Sequence, residues 1–206
     1  LYFEEVYKGF ETESIFNELI EDGWFPFIQL IGGDYENILA AYQDKFNFQN
    51  KIKGIVDKYD KQAIEGLSSK WWSNPIFSSK RKILQAGVDA YCQSDESGYI
   101  NSIKNIYTET EGILQQTFSP NEKKKIEELC KSLGTSCPEG SLYFSSYFNK
   151  YLLKFLYKNF NLENNEVDLS RHTVGHGIAK VEEYDKIRAL QGLLILDQIF
   201  YYINKQ

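Results

Sequence analysis

Both histidines of this 206-residue chain fall within one short run, Ser170-Arg171-His172-Thr173-Val174-Gly175-His176-Gly177. Arginine keeps its charge at any physiological pH, whereas an unperturbed imidazole titrates near ~6.5. The two glycines would let the backbone come close to a ligand. A fixed cation beside two groups that exchange protons near neutrality suits a phosphate-bearing substrate. The guanidinium can hold two oxygens at once, and an imidazole can take up or return a proton.

Two other readings of the run stand beside this one. His172 and His176 have the i, i+4 spacing that puts two imidazoles on one helix face, as a metal site would require, with Glu111 or Glu182 as third ligand. Gly175 and Gly177 make regular helix uncertain there. Alternatively, Arg171 and the histidines only bind a loop to the rest of the protein. No metal or cofactor is expected on the first reading.

The elements that must position the run are helical. Apolar residues Val6, Phe10, Ile15, Phe16, Leu19 and Ile20 recur at mostly helical intervals between Glu4 and Asp22, before Gly23-Trp24-Phe25-Pro26 breaks the pattern. Gly32-Gly33-Asp34 reads as a stop and a cap ahead of a helix from Tyr35 to Phe46, with Ile38, Leu39 and Tyr42 inward. A further helix is expected from Gln49 to Leu67. The Ser, Asn and Pro cluster from Ser68 to Ser79 reads as a boundary. Beyond it, Ser78 or Ser79 can cap a helix carrying Ile83, Leu84, Val88 and Tyr91 on one side.

Ser94 to Gly98 turns the chain into a helix from Tyr99 to Phe118, with Ile103, Ile106, Tyr107, Ile113, Leu114 and Phe118 inward and Glu109 and Glu111 near its middle. Ser119-Pro120-Asn121-Glu122 has the pattern of a capping box with proline at the first helical position, opening a helix through Leu133. Gly134 to Gly140 closes it. An aromatic-rich helix from Ser141 to Asn159, a polar loop from Asn161 to Asp168 and an apolar helix from Asp185 to Asn204 complete the chain. Lys150, Lys154 and Lys158 recur every fourth residue and would line one helix face, either as a solvated face or as a phosphate-guiding stripe. No strand alternation and no fixed-period repeat is present.

Composition limits the function. With 42% hydrophobic and 25% charged residues, the chain can bury a core, and its length favours one domain plus an extension. The net charge of −6 excludes diffuse attraction to a nucleic-acid backbone, so any such contact must be local. Three cysteines, Cys92, Cys130 and Cys137, without C-x-x-C spacing suggest neither a disulfide framework nor a zinc knuckle. Trp24, Trp71 and Trp72 read as core anchors, with a base-stacking platform as the alternative. No run reaches the ~18 apolar residues of a membrane span and no secretory leader is visible, so a cytoplasmic location is expected. A chain that begins at Leu1 and holds no Met reads as trimmed or fragmentary.

The arginine, intervening residues and histidine of Arg171 to His176, ahead of an apolar helix, resemble the signature of the HEPN (higher eukaryotes and prokaryotes nucleotide-binding) superfamily. The flanks add to the likeness: Arg81-Lys82, Ala90-Tyr91, Gly98-Tyr99, Glu111-Gly112 and Arg171 to Gly177 occur in the order of one branch of that superfamily. The resemblance covers roughly residues 76–206. It implies an all-α fold, a HEPN-like up-and-down helical bundle, here with an N-terminal helical extension over residues 1–70 and the bundle domain over 76–206.

It also implies a function. HEPN enzymes are metal-independent endoribonucleases, in some cases with toxin or defence roles and a protein antitoxin, and the bundle commonly pairs as a homodimer. On that pattern Arg171 grips the phosphate and His176 moves a proton. His172 occupies the polar position where many catalytic members have Asn or Asp. Glu111 steadies an imidazole or Arg171, and Lys150, Lys154 and Lys158 guide RNA. Other members use the same bundle only to bind nucleotides, RNA or partner proteins, which is the alternative.

Overall fold

The most apolar stretch of the chain forms its last helix, and its burial organises the rest. The computed structural model describes residues 14–31, 33–136, 145–158 and 169–204. Among these residues there are eleven α-helices and no strand. They are α1 (Ser14–Glu21), α2 (Asp34–Gln43), α3 (Phe48–Val56), α4 (Lys61–Ser69), α5 (Pro75–Ser79), α6 (Arg81–Cys92), α7 (Glu96–Phe118), α8 (Ile126–Gly134), α9 (Ser145–Tyr151), α10 (Arg171–His176) and α11 (Lys186–Ile203). The protein is an all-α helical bundle. None of the described helices is long and apolar enough to cross a membrane.

Helix α11 starts where the Asp185 carboxylate accepts the Arg188 N–H at 2.8 Å, and it is buried at every position from Ala189 to Phe200. A helix apolar all round belongs inside a protein, and this one is covered by segments from both ends of the chain. Helix α7, 23 residues long and capped by Asp95, packs along it through Ile103, Ile106, Tyr107, Ile113 and Leu114, and α6 folds back on α7 as a helical hairpin. On the other side lies the 22–30 segment. Gly23 has a φ of +83°, and a Cβ there would stand 2.4 Å from Phe155 Cζ, so only glycine lets the chain turn so close to α9's continuation.

Two polar side chains on α11 fasten that segment. Gln191 donates to the Asp22 carbonyl at 2.7 Å, and Gln198 accepts the Ile28 N–H at 2.8 Å. A carboxylate, Asp197, does more: only 1% exposed, it accepts the Trp71 indole N–H at 2.8 Å and the Gln29 amide at 2.7 Å, with Lys70 Nζ 3.6 Å away.

Several expected boundaries shift, each for a local reason. The helix expected from Gln49 to Leu67 is two helices, because the Asp60 side chain accepts the Ala63 N–H at 2.9 Å and starts α4 afresh. Neither Ser78 nor Ser79 caps α6. Instead Asn74 caps the short α5, with Pro75 at its first position, and the Ser79 hydroxyl donates to the Ile76 carbonyl. The stretch 68–79, read as a boundary, holds a 3-10 turn followed by α5, with Trp71 fully buried in a core cluster that includes residues from Leu19 to Ile203.

Helix α2 ends at Gln43 rather than Phe46, and α7 begins three residues earlier than the turn signal implied. Trp24 and Trp71 are core residues, as expected of anchors, and Trp72 is half-buried against Trp71. Val6, Phe10, Cys137 and the loop 161–168 lie outside the described residues.

Asp197→Ala would leave the buried Trp71 N–H and Gln29 amide without their acceptor. The expected loss of unfolding free energy is about 3–5 kcal/mol, measurable by urea denaturation.

Candidate functional site

Helix α10 is six residues long, too short to hold itself, and is built by its caps. The Ser170 hydroxyl accepts the Thr173 N–H at 3.3 Å while the Thr173 hydroxyl accepts the Ser170 N–H at 2.8 Å, a capping box with threonine in place of the usual acid. At the other end Gly177 takes a φ of +69°, and the Ile178 N–H reaches back to the Thr173 carbonyl at 3.0 Å. Thr173 and Val174 are buried, seating the helix against α7. Of the motif's two glycines, only the second is required by the backbone. Gly177 closes the helix, and Gly175 lies beneath the Arg171 guanidinium, whose Nη1 would be 3.7 Å from an added Cβ.

Arg171 crosses from α10 to α7, where its Nη2 pairs with the Glu111 carboxylate at 2.7 Å, both side chains about 30% exposed. Its Nε is buried and has no hydrogen-bond partner among the described residues. The neighbouring acid, Glu109, is taken by Lys80 at 2.6 Å, which leaves Glu111 to the arginine. Beside the pair opens a surface cleft of about 560 Å³, lined by Arg171, Glu111, Thr108, Gln115, Glu122 and Lys123 among others.

Neither histidine lines that cleft. Successive α-helical residues differ by about 100°, so Arg171 and Gly175 share one face of α10 while His172 and His176 share another. His172 is half-buried and His176 exposed. Burial holds the His172 imidazole below its ordinary value of 6.5; the Arg171 cation and then His176 push it the same way, and the Glu111 and Glu127 carboxylates oppose them. His172 is thus disposed to be neutral at pH 7, a proton acceptor.

The lysine triplet lies elsewhere. Past Tyr151 the helix widens into a π-helical turn over Leu152–Leu156, which changes its register, and Lys158 falls beyond its end. Lys150 sits over the Tyr147 ring, and Lys154 pairs with Glu21 at 3.6 Å and donates to Asn17. Lys154 and Lys158 line a separate cavity of about 240 Å³ with Arg188. The three do not form one helix stripe leading to Arg171.

One wall of the cleft escaped the sequence reading. Residues 119–125 do not open a helix: α8 starts only at Ile126, and the expected capping box is absent. Gln115 on α7 holds the loop instead. Its amide donates to the Ser119 carbonyl and, at 2.6 Å, to the Glu122 carbonyl, while its Oε1 accepts the Lys124 N–H at 3.2 Å. The Ser119 hydroxyl, expected as a cap, donates to the Glu122 carbonyl at 2.7 Å. The available signal was Lys123-Lys124-Lys125, hidden by placing it inside a helix.

Among the described residues no group of three His, Cys, Asp or Glu is placed to hold a metal ion, and the Glu111 carboxylate already faces Arg171. Cys130, beneath the site, has its thiol pushed up to about 12 by burial and is no nucleophile. Comparison with known proteins finds no matching family model, no similar curated protein and no similar solved structure. The HEPN likeness rests on the residues quoted above.

Gly177→Ala forces an alanine to positive φ and should cost roughly 1 kcal/mol, whereas Gly175→Ala should be neutral or slightly stabilising, as read from thermal melts. His172 also predicts a pH effect. Its folded pKa lies below its unfolded 6.5, so its contribution is present above pH 6.5 and is lost as pH falls through the folded value. In His172→Asn this part of the acid-side decline should vanish from a urea-denaturation series.

Proposed function

We propose that the chain is a metal-independent endoribonuclease of the HEPN type, cleaving RNA by attack of a ribose 2′-hydroxyl on the adjacent phosphate. The observation that carries this reading is Arg171, held by Glu111 at the edge of an open cleft, on the same short helix as both imidazoles. Arg171 offers its remaining N–H groups to the nonbridging oxygens as charge builds on them. His172, held neutral, takes the 2′-hydroxyl proton. His176 returns a proton to the departing 5′-oxygen, leaving a 2′,3′-cyclic phosphate and a 5′-hydroxyl.

The face separation of Arg171 from the histidines favours a homodimer. A twofold axis would let one chain's imidazoles serve the phosphate held by the other's Arg171. A second reading has one observation in its favour. Because Glu111 already occupies Arg171 and no imidazole enters the cleft, the site can equally be a non-catalytic nucleotide- or RNA-binding module, or a surface for a partner protein such as an antitoxin.

Cleavage of RNA in EDTA by the purified chain tests the enzyme, and Arg171→Ala or His176→Ala should each reduce it at least about 10²-fold with the helical circular dichroism unchanged. A strict monomer by light scattering at micromolar concentration would remove the composite site. Binding without turnover, weakened by Arg171→Ala, would select the second reading.

A further inference from the structure

The loop 119–125 carries three consecutive lysines, Lys123, Lys124 and Lys125, in a protein of net charge −6. Lys123 and Lys125 are exposed and Lys124 is half-buried. Ion pairs hold several of the other lysines, among them Lys45, Lys51, Lys58, Lys80 and Lys186. No ion pair or side-chain hydrogen bond among the described residues engages these three. The loop that presents them is not slack, since Gln115 binds three of its backbone groups and Ser119 a fourth contact. Holding the carbonyls of residues 119 and 122 against Gln115 fixes the loop's path before any ligand arrives, so little ordering cost remains for binding.

The charge arithmetic separates a strand from a small anion. Within the cleft lining, Arg171 and Lys123 face Glu111 and Glu122, two positive groups against two negative. A lone phosphate entering there meets a site with no net charge. A longer anion that leaves the cleft along the loop also meets Lys124 and Lys125, which lie outside the cleft lining and precede Glu127 and Glu128 on α8. We propose that loop 119–125 tracks the backbone of a single-stranded nucleic acid, Lys123 taking a phosphate next to the one held by Arg171 and Lys124 and Lys125 carrying the strand outward. This rests on the reading of Arg171 as a phosphate ligand but not on the chain being an enzyme. It also moves the strand-guiding role from the Lys150, Lys154 and Lys158 positions to a loop that shares the arginine's cleft.

The test uses a fluorescein-labelled 2′-O-methyl oligoribonucleotide, which 2′-hydroxyl attack cannot cut, with fluorescence anisotropy followed between about 50 and 200 mM salt. Each phosphate contact on a single strand contributes about 0.7 to the slope of log affinity against log salt, so K123A/K124A/K125A should flatten that slope by about 2 and weaken low-salt binding at least about tenfold. The charge-matched K53A/K58A/K61A should retain both. Gln115→Ala should weaken binding while keeping the slope, because it loosens the loop without removing charge. Inorganic phosphate at millimolar concentration should compete poorly.

A triple variant with the wild-type slope and affinity overturns the proposal even if the protein cuts RNA. If the wild type binds no oligonucleotide at low salt, the loop proposal and the ribonuclease reading fall together. If the wild type binds through the loop yet leaves unmodified RNA intact, the loop assignment stands and catalysis falls.

Discussion

A buried carboxylate sets the terms for this fold. Asp197 lies in the middle of a helix with almost no exposed surface, where an ionised group is tolerated only with partners in place. Those partners come from distant points in the chain: the Gln29 amide from the segment after α1, the Trp71 indole and the Lys70 ammonium from the turn after α4. Separating the first third of the chain from the last helix would strand the carboxylate and deprive the half-buried Gln29 amide of its acceptor. The N-terminal helices are therefore tied into the bundle by polar geometry as well as by apolar packing, and Gln191, six residues earlier, and the adjacent Gln198 add further bonds to the same segment.

With α11 so enclosed, α7 becomes the scaffold for what chemistry the protein can do. One face of α7 packs on α11, and the remainder supplies the groups that meet the outer elements. Glu109 ties down Lys80, Glu111 receives Arg171, and Gln115 holds the loop ahead of α8. These three residues lie within two turns of one helix, so the cleft has a rigid back wall. Its front is made of a six-residue helix and a loop, both shaped by side chains that bind backbone groups. Rigid support with short, capped presenting elements is what a binding site needs to keep its geometry.

Electrostatics concentrate what little positive potential the chain has. In a protein with more acids than bases, several lysines are matched by nearby carboxylates, and exposed pairs of that kind add little to stability. The exceptions matter more. Arg171 is paired through one nitrogen, and among the described residues no ion pair holds the three lysines of the neighbouring loop, so these cations are not tied up within the chain. His172, depressed by burial and by that same arginine, is kept from adding a further charge near neutral pH.

The all-α class, the break at Gly23-Trp24-Phe25-Pro26, most of the inward rows of α6 and α7 and the apolar last helix could be read from periodicity and punctuation, since these depend on neighbours within a turn or two, although Ile83, expected inward on α6, is exposed. Glu111 and Arg171, which the resemblance places together, do meet, although their separation in sequence is 60 positions. What local pattern could not decide was every case where a distant group competes. Ser119 to Glu122 has the letters of a capping box, but Gln115 from the preceding helix claims the carbonyls and the loop stays open. The lysine triplet has helical spacing, but a π-helical turn and the end of the helix spoil its register. The linker-like composition of 68–79 hides a buried tryptophan because its partner, Asp197, is 126 positions away. Periodicity is a property of the segment, whereas hydrogen-bond partners and shared clefts are properties of the packed chain, and only the tertiary structure contains them.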